Sequence, residues 1–143
     1  MSAENKTIAR RFYEEVWSKG NLGALDELMA TNIVDHNTLP GLPPGLEGFK
    51  QVLTMFRTAF PDLHLTVEDM IAEGDMVVSR VKVRGTHKGD LMGIAPTGKQ
   101  VTLEAIDITR IAGGKMVERW GIIDQLGMMQ QLGAVPLPGQ PGG

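Results

Sequence analysis

The spacing of apolar residues changes period once along this chain, between Phe60 and Leu63. Upstream, apolar residues recur every third or fourth position. Ile8, Phe12 and Val16 form one stripe, widened by Ala9, Tyr13 and Trp17, so the spacing predicts a helix over 5–19, stopped by Gly20-Asn21. Leu22, Leu25, Leu28 and Met29 predict a shorter helix over 22–29. Phe49, Val52, Leu53, Phe56 and Phe60 predict a third over 47–60, ended by Pro61. Between these, 33–36 reads as a short extended piece, and the Pro/Gly-rich stretch 38–45 as a loop. Downstream the period is two. Leu63, Leu65 and Val67 alternate with His64, Thr66 and Glu68; after a turn at Gly74-Asp75, Val81 and Val83 alternate with Arg80, Lys82 and Arg84. Residues 99–112 and 115–123 are longer strands joined by Gly113-Gly114, a two-residue hairpin signal, and 88–98 is a loop. Residues 125–132 read as a last helical turn or two. Helices first and an antiparallel meander second means α+β, with a concave space between helices and sheet where a ligand would sit.

A length of 143 residues suits one domain, taken as 1–133, with the Pro/Gly-rich residues 134–143 as a loose tail. The net charge of −3 and the lack of a basic run argue against nucleic acid or an anionic membrane surface as partner. The absence of cysteine removes disulfides, thiolate metal sites and cysteine nucleophiles, and fits a reducing compartment. With a polar start and no long apolar run, the expected location is the cytoplasm. The histidines lack ligand spacing, so no metal site is expected; no phosphate loop, dinucleotide fingerprint or nucleophile elbow occurs.

Strand parity selects candidate chemistry. On the last strand Met116, Glu118, Trp120, Ile122 and Asp124 share one face. If Gly113-Gly114 is a two-residue turn, Asp107 faces Trp120, Ala105 faces Ile122 and Leu103 faces Asp124; a one-residue bulge would overturn this pairing. Asp124 on that apolar face is a candidate acid/base, and equally the N-cap of the helix after it. Asp107 interrupts a β-rich run between Ile106 and Ile108, so it either serves chemistry, pairs with Arg110 or Arg119, or sits solvated at a sheet edge. His36, before the proline-rich loop, could shuttle a proton or satisfy loop backbone, and His87 could line the pocket or close its strand. Met55, Met70 and Met92 are core filler or an adaptable pocket wall.

The chain resembles the SnoaL-like polyketide (ester) cyclase family of the nuclear transport factor 2-like superfold, over nearly its whole length. The resemblance rests on Val34-Asp35-His36-Asn37, Gly45-Leu46-Glu47-Gly48, Ala59-Phe60-Pro61-Asp62, Gly85-Thr86-His87-Lys88-Gly89, Pro96-Thr97-Gly98, and Lys115 to Trp120 followed by Asp124. It implies a cone-shaped barrel: a curved antiparallel sheet packed by N-terminal helices around an apolar pocket. It also implies intramolecular aldol condensation without cofactor or metal, with Asp124 as acid/base. Asp107 stands where such relatives often carry His; with His36 it completes the expected catalytic set. Tyr13, Trp17, Met55, Phe56, His87, Leu103 and Trp120 would contact a small apolar or aromatic carbonyl substrate. A homodimer or homotetramer is expected, pairing through the sheet face that bears Arg80, Lys82 and Arg84. The alternatives are a small-molecule hydrolase or isomerase of the epoxide hydrolase kind, which needs a carboxylate and a positive partner converging in the pocket, and a non-catalytic binder of apolar metabolites.

Overall fold

The computed structural model describes residues 2–37 and 39–134. The helical half contains α1 (Ser2–Arg11), a π-helical segment (Phe12–Ser18), α2 (Leu22–Leu28) and α3 (Gly45–Ala59). The strands are β1 (Met29–Asp35), β2 (His64–Glu73), β3 (Met76–Thr86), β4 (Gln100–Ala112) and β5 (Lys115–Ile123), and α4 (Gln125–Leu132) closes the described chain. The expected tail lies, from residue 135 on, outside the described residues. No helix among the described residues is long and apolar enough to cross a membrane.

Local chemistry explains the boundaries. Asn21 caps α2, its Oδ1 accepting the Ala24 N–H at 3.1 Å. Gly113 and Gly114 both adopt positive φ, 60° and 77°, as a tight hairpin turn requires. The first predicted helix is present but changes type at Phe12: the wider turn presents Phe12, Tyr13 and Val16 together to the interior. Ser18 pins its end to the sheet, its Oγ accepting the Leu65 N–H at 2.9 Å.

Strand order in the sheet is β1-β5-β4-β3-β2. The four strands from β2 to β5 are the expected antiparallel meander. The piece expected over 33–36 is longer: it is β1, and it runs parallel to β5. The sheet is therefore mixed, curved and unclosed, with helices covering its inner face. Val77, Val81, Val83, Val101, Leu103 and Ile111 face inward into a core shared with Phe12, Val16, Leu25, Phe49 and Leu53. Arg80, Lys82 and Arg84 lie on the outer face, as parity required.

The expected pairing of β4 with β5 holds only beside the turn. Ala112 faces Lys115 and Ile111 faces Met116, but Arg110 then faces Glu118, so Val117 is an extra residue. Beyond this bulge every side chain of β5 changes face. Asp107 is opposite Gly121 rather than Trp120, and Ala105 is opposite Ile123 rather than Ile122. Arg119, Gly121 and Ile123 point inward; Trp120 and the exposed Ile122 point out.

Candidate active site

The curved sheet and the helices opposite it enclose a cavity of about 600 Å³. That volume suits a small organic molecule. Trp17, Phe49, Val52 and Phe56 form its helical wall, and Leu65, Val81, Val83 and Ala105 its sheet wall. Trp17 meets Phe49 edge to face at 5.6 Å and Phe56 at 6.3 Å, which holds the indole against the helices.

A buried polar cluster interrupts this lining. Tyr13 from the π-helical segment, Asp35 from the end of β1, Asp107 from mid-β4 and Arg119 from β5 converge. The Tyr13 hydroxyl donates to Asp107 Oδ2 at 2.8 Å. Arg119 Nη2 lies 3.3 Å from both Oδ1 and Oδ2 of Asp107, while its Nη1 donates to Asp35 Oδ2 at 2.9 Å. The free face of the guanidinium stands over the Phe49 ring at 5.4 Å. Asp35 Oδ1 accepts the Asn37 backbone N–H at 3.0 Å, so neither carboxylate depends on Arg119 alone.

Burial sets the charge states. Tyr13 is 2% exposed and Asp107 5%. Burial, then the negative charge of Asp107, pushes the Tyr13 hydroxyl well above its ordinary pKa, so it stays protonated and donates. Burial works against the Arg119 charge, but Asp107 and Asp35 outweigh it and raise the guanidinium above its usual value. The site is a fixed cation between two carboxylates, with a neutral hydroxyl donor on the deeper one.

His36 borders the cavity at its rim, but its ring lies on the outer face of the sheet with Trp120 and Glu118. Its ring lies flat on Trp120 at 4.7 Å and 6°, and its Nε2 is 2.7 Å from Glu118 Oε2. That contact, then Arg110, holds the Glu118 carboxyl below the usual range.

Several expected site residues sit elsewhere. Asp124 is exposed and is not part of the cavity wall; its Oδ1 accepts the Gly127 N–H at 2.9 Å as the N-cap of α4. The cap bond ties the carboxylate to the first turn of its own helix. Trp120 is carried to the outer face by the Val117 bulge. Met55 sits with Gln51 and Thr54 on the solvent side of α3, because the row through Phe49, Val52 and Phe56 takes the cavity side. Leu103 is core, 4% exposed, opposite Val83. His87 is fully buried: its Nδ1 accepts the Thr97 N–H at 3.2 Å, which ties the 88–98 loop to β3. Tyr13, Trp17, His36, Phe56 and Asp107 do line the cavity.

Residues 7–132 match the family described as SnoaL-like polyketide cyclase. The chain belongs to the SnoaL-like polyketide cyclase family. It is similar to the aklanonic acid methyl ester cyclase of Streptomyces peucetius, 32% identical over 108 residues, 75% of this chain and 72% of that one. It is also similar to the nogalonic acid methyl ester cyclase of Streptomyces nogalater, 28% identical over 82% of this chain and 89% of that one. Among solved structures, TsrD from Streptomyces laurentii superposes with a TM-score of 0.86 at 28% identity, covering 94% of this chain and 98% of that one.

Within this SnoaL-like chain, Asp35, Arg119 and Gly121 are the residues that sequence reasoning passed over. Asp35 stands inside a quoted motif, and Arg119 was considered only as a structural partner of Asp107. The signal that unites them is spatial. Asp35 is opposite Arg119 on the parallel β1–β5 pair, and Arg119 reaches across β5 to Asp107 on β4.

Proposed function

We propose that the cavity is the active site of a cyclase that closes a ring on an apolar, aromatic carbonyl substrate by intramolecular aldol condensation, with no metal or organic cofactor. Asp107 is the acid/base. Its carboxylate takes the acidic proton beside a carbonyl, and the C–H electron pair becomes the enolate. The enolate carbon attacks a second carbonyl of the same molecule, and the alkoxide so formed recovers the proton from Asp107. Tyr13 and Arg119 hold the carboxylate in place and compensate its charge. Trp17 and Phe56 pack against the substrate's rings, while the His36 ring, stacked on the outward-facing Trp120, takes no part in the step. Holding one chain folded in a fitted cavity lowers the barrier independently of the proton transfer.

The observation that carries this reading is the Asp107 carboxylate on the wall of an otherwise largely apolar cavity, held by the neutral Tyr13 donor and the Arg119 cation. The test is turnover of aklanonic acid methyl ester, the substrate class named for a relative. Asp107→Asn is expected to lower kcat by about 10²–10⁴-fold, the usual worth of a positioned acid/base. Asp124→Asn is expected to leave it unchanged. Wild-type turnover by the Asp107 variant sinks the assignment.

A second reading is favoured by one observation: Arg119 lies between two carboxylates, the positive partner that epoxide hydrolysis needs. One carboxylate would take a proton from water as its oxygen attacks the ring carbon, and the other, protonated, would give a proton to the departing ring oxygen. Diol formed from an aryl epoxide, with no cyclised product from the keto ester, would select it.

The outer sheet face, with Ile71, Ile106 and Ile122 exposed, is proposed to pair copies of the chain.

A further inference from the structure

Gly121 sits on the cavity wall directly opposite Asp107, and it has a second neighbour. Its N–H turns away from β4, towards β1, and donates to Asn37 Oδ1 at 2.8 Å. A backbone N–H can pair only with an acceptor, so this bond fixes which end of the Asn37 amide faces the strand. The oxygen is held and the Nδ2 hydrogens point the other way. Asn37 lines the cavity mouth, and no residue among those described takes its Nδ2 hydrogens.

Asp107 and Arg119 close over Gly121. A Cβ built there would lie 2.6 Å from Asp107 Oδ1 and 2.6 Å from Arg119 Nη2. No carbon fits at those distances, so only glycine lets the Asp107 carboxylate sit directly against the strand that Asn37 binds. Asn37 and Asp107 flank Gly121 on its two sides. Two strand spacings of ~4.8 Å separate their backbones by ~10 Å.

We infer that Asn37 is a second catalytic group of the site: its Nδ2 binds the substrate carbonyl oxygen while Asp107, on the other side of Gly121, takes the adjacent proton. The inference rests on the cyclase reading given above and assigns the group that stabilises the enolate. As Asp107 removes the proton, the C–H pair moves into a new C=C bond and the carbonyl π pair moves onto oxygen. The negative charge grows on the atom that faces Asn37. A neutral amide held by the sheet needs no reorganisation to meet that charge. The terminal nitrogens of Arg119 are turned to the two carboxylates, whereas the Asn37 amide carries no such partner among the described residues.

A purely structural role for Asn37, completing the β1–β5 ladder at Gly121, needs only the acceptor oxygen. Asn37→Asp keeps that oxygen and removes the donor. With aklanonic acid methyl ester as probe, the variant is expected to keep its melting temperature within a few degrees and its KM within about threefold, and to lose kcat by about 10²–10³-fold. The loss is expected across the whole pH range. A loss recovered on raising the pH would mean only that the new charge shifts Asp107, and it overturns the assignment. So does a kcat within threefold of wild type. Asp107→Asn is run beside it: a dead Asp107 variant with an active Asn37 variant overturns this inference alone, whereas an active Asp107 variant overturns the cyclase reading beneath it. Asn37→Ser, which can both accept from Gly121 and donate to substrate, is expected to restore at least tenfold of what Asn37→Asp loses, and failure to do so counts against the donor role.

Discussion

Asp124 and Asp107 are the two carboxylates that strand parity singles out, and their surroundings give them different work. Asp124 is bound to the start of α4 through the Gly127 N–H. Replacing it with Ala is expected to cost about 1 kcal/mol, or ~3 °C of melting temperature, while Asn, an equally good cap, is expected to cost almost nothing. Calorimetry on the two variants reads this, and a loss of turnover in the Asn variant with its stability intact would return Asp124 to the chemistry. Asp107 was legible as an anomaly, a carboxylate between isoleucines in a strand. Its partners were not. Tyr13 is 94 residues away and joins it only through the fold. Nothing in the sequence around Val117 marks the bulge that turns Arg119 inward, since Val suits either face of a strand. One extra residue exchanges Trp120 for Arg119 at the cavity wall, so the identity of the site depends on a backbone irregularity that periodicity cannot detect.

At the scale of elements, most boundaries followed from local chemistry: proline and glycine ended helices, and a glycine pair made the hairpin. The exceptions came from pairing between distant segments. The parallel docking of β1 on β5 has no local signature. The change to a π-helix at Phe12 adjusts an otherwise helical pattern by a fraction of a turn. These N-terminal elements are tied together by ion pairs. Arg11 donates to Glu15 at 2.6 Å and to Glu27 at 3.0 Å, which joins the π-helical segment to α2. The hydrogen bond from Arg11 is the largest cause that holds both glutamates below their usual pKa of 4.5. A depressed carboxylate pKa means that the unfolded chain binds the proton more readily, so this stabilisation is present above about pH 4.5 and fades as pH falls. Arg11→Gln is expected to melt below the wild type at pH 7, and the gap is expected to close between about pH 5 and pH 3. Melting curves across that range decide it; a gap that stays constant would assign the difference to packing of the Arg11 stem.

For the molecule as a whole, helices on one face of a curved sheet were readable from the order of the two periods, because that order leaves few ways to bury both apolar surfaces. The outer face is the part that a single copy leaves wet. Ile71 is 67% exposed, Ile122 65% and Ile106 50%, and Arg80 among them bridges Asp69 and Glu104. Covering that surface in a homodimer or homotetramer removes apolar area from water and leaves the cavity on the opposite face undisturbed. Light scattering is expected to give a mass of two or four chains, and Ile106→Glu is expected to shift it towards one. A single-chain mass for the wild type excludes the pairing.

The sheet does not close on itself, so helices form the wall facing the Asp107 carboxylate. A closed ring of strands would tie the bore of the hollow to strand count and shear. Here Trp17, Val52 and Phe56 can be exchanged for larger or smaller neighbours without disturbing a single ladder bond near Asp107. Fit to the guest and the chemistry done on it are thereby inherited separately, and drift in one need not spoil the other.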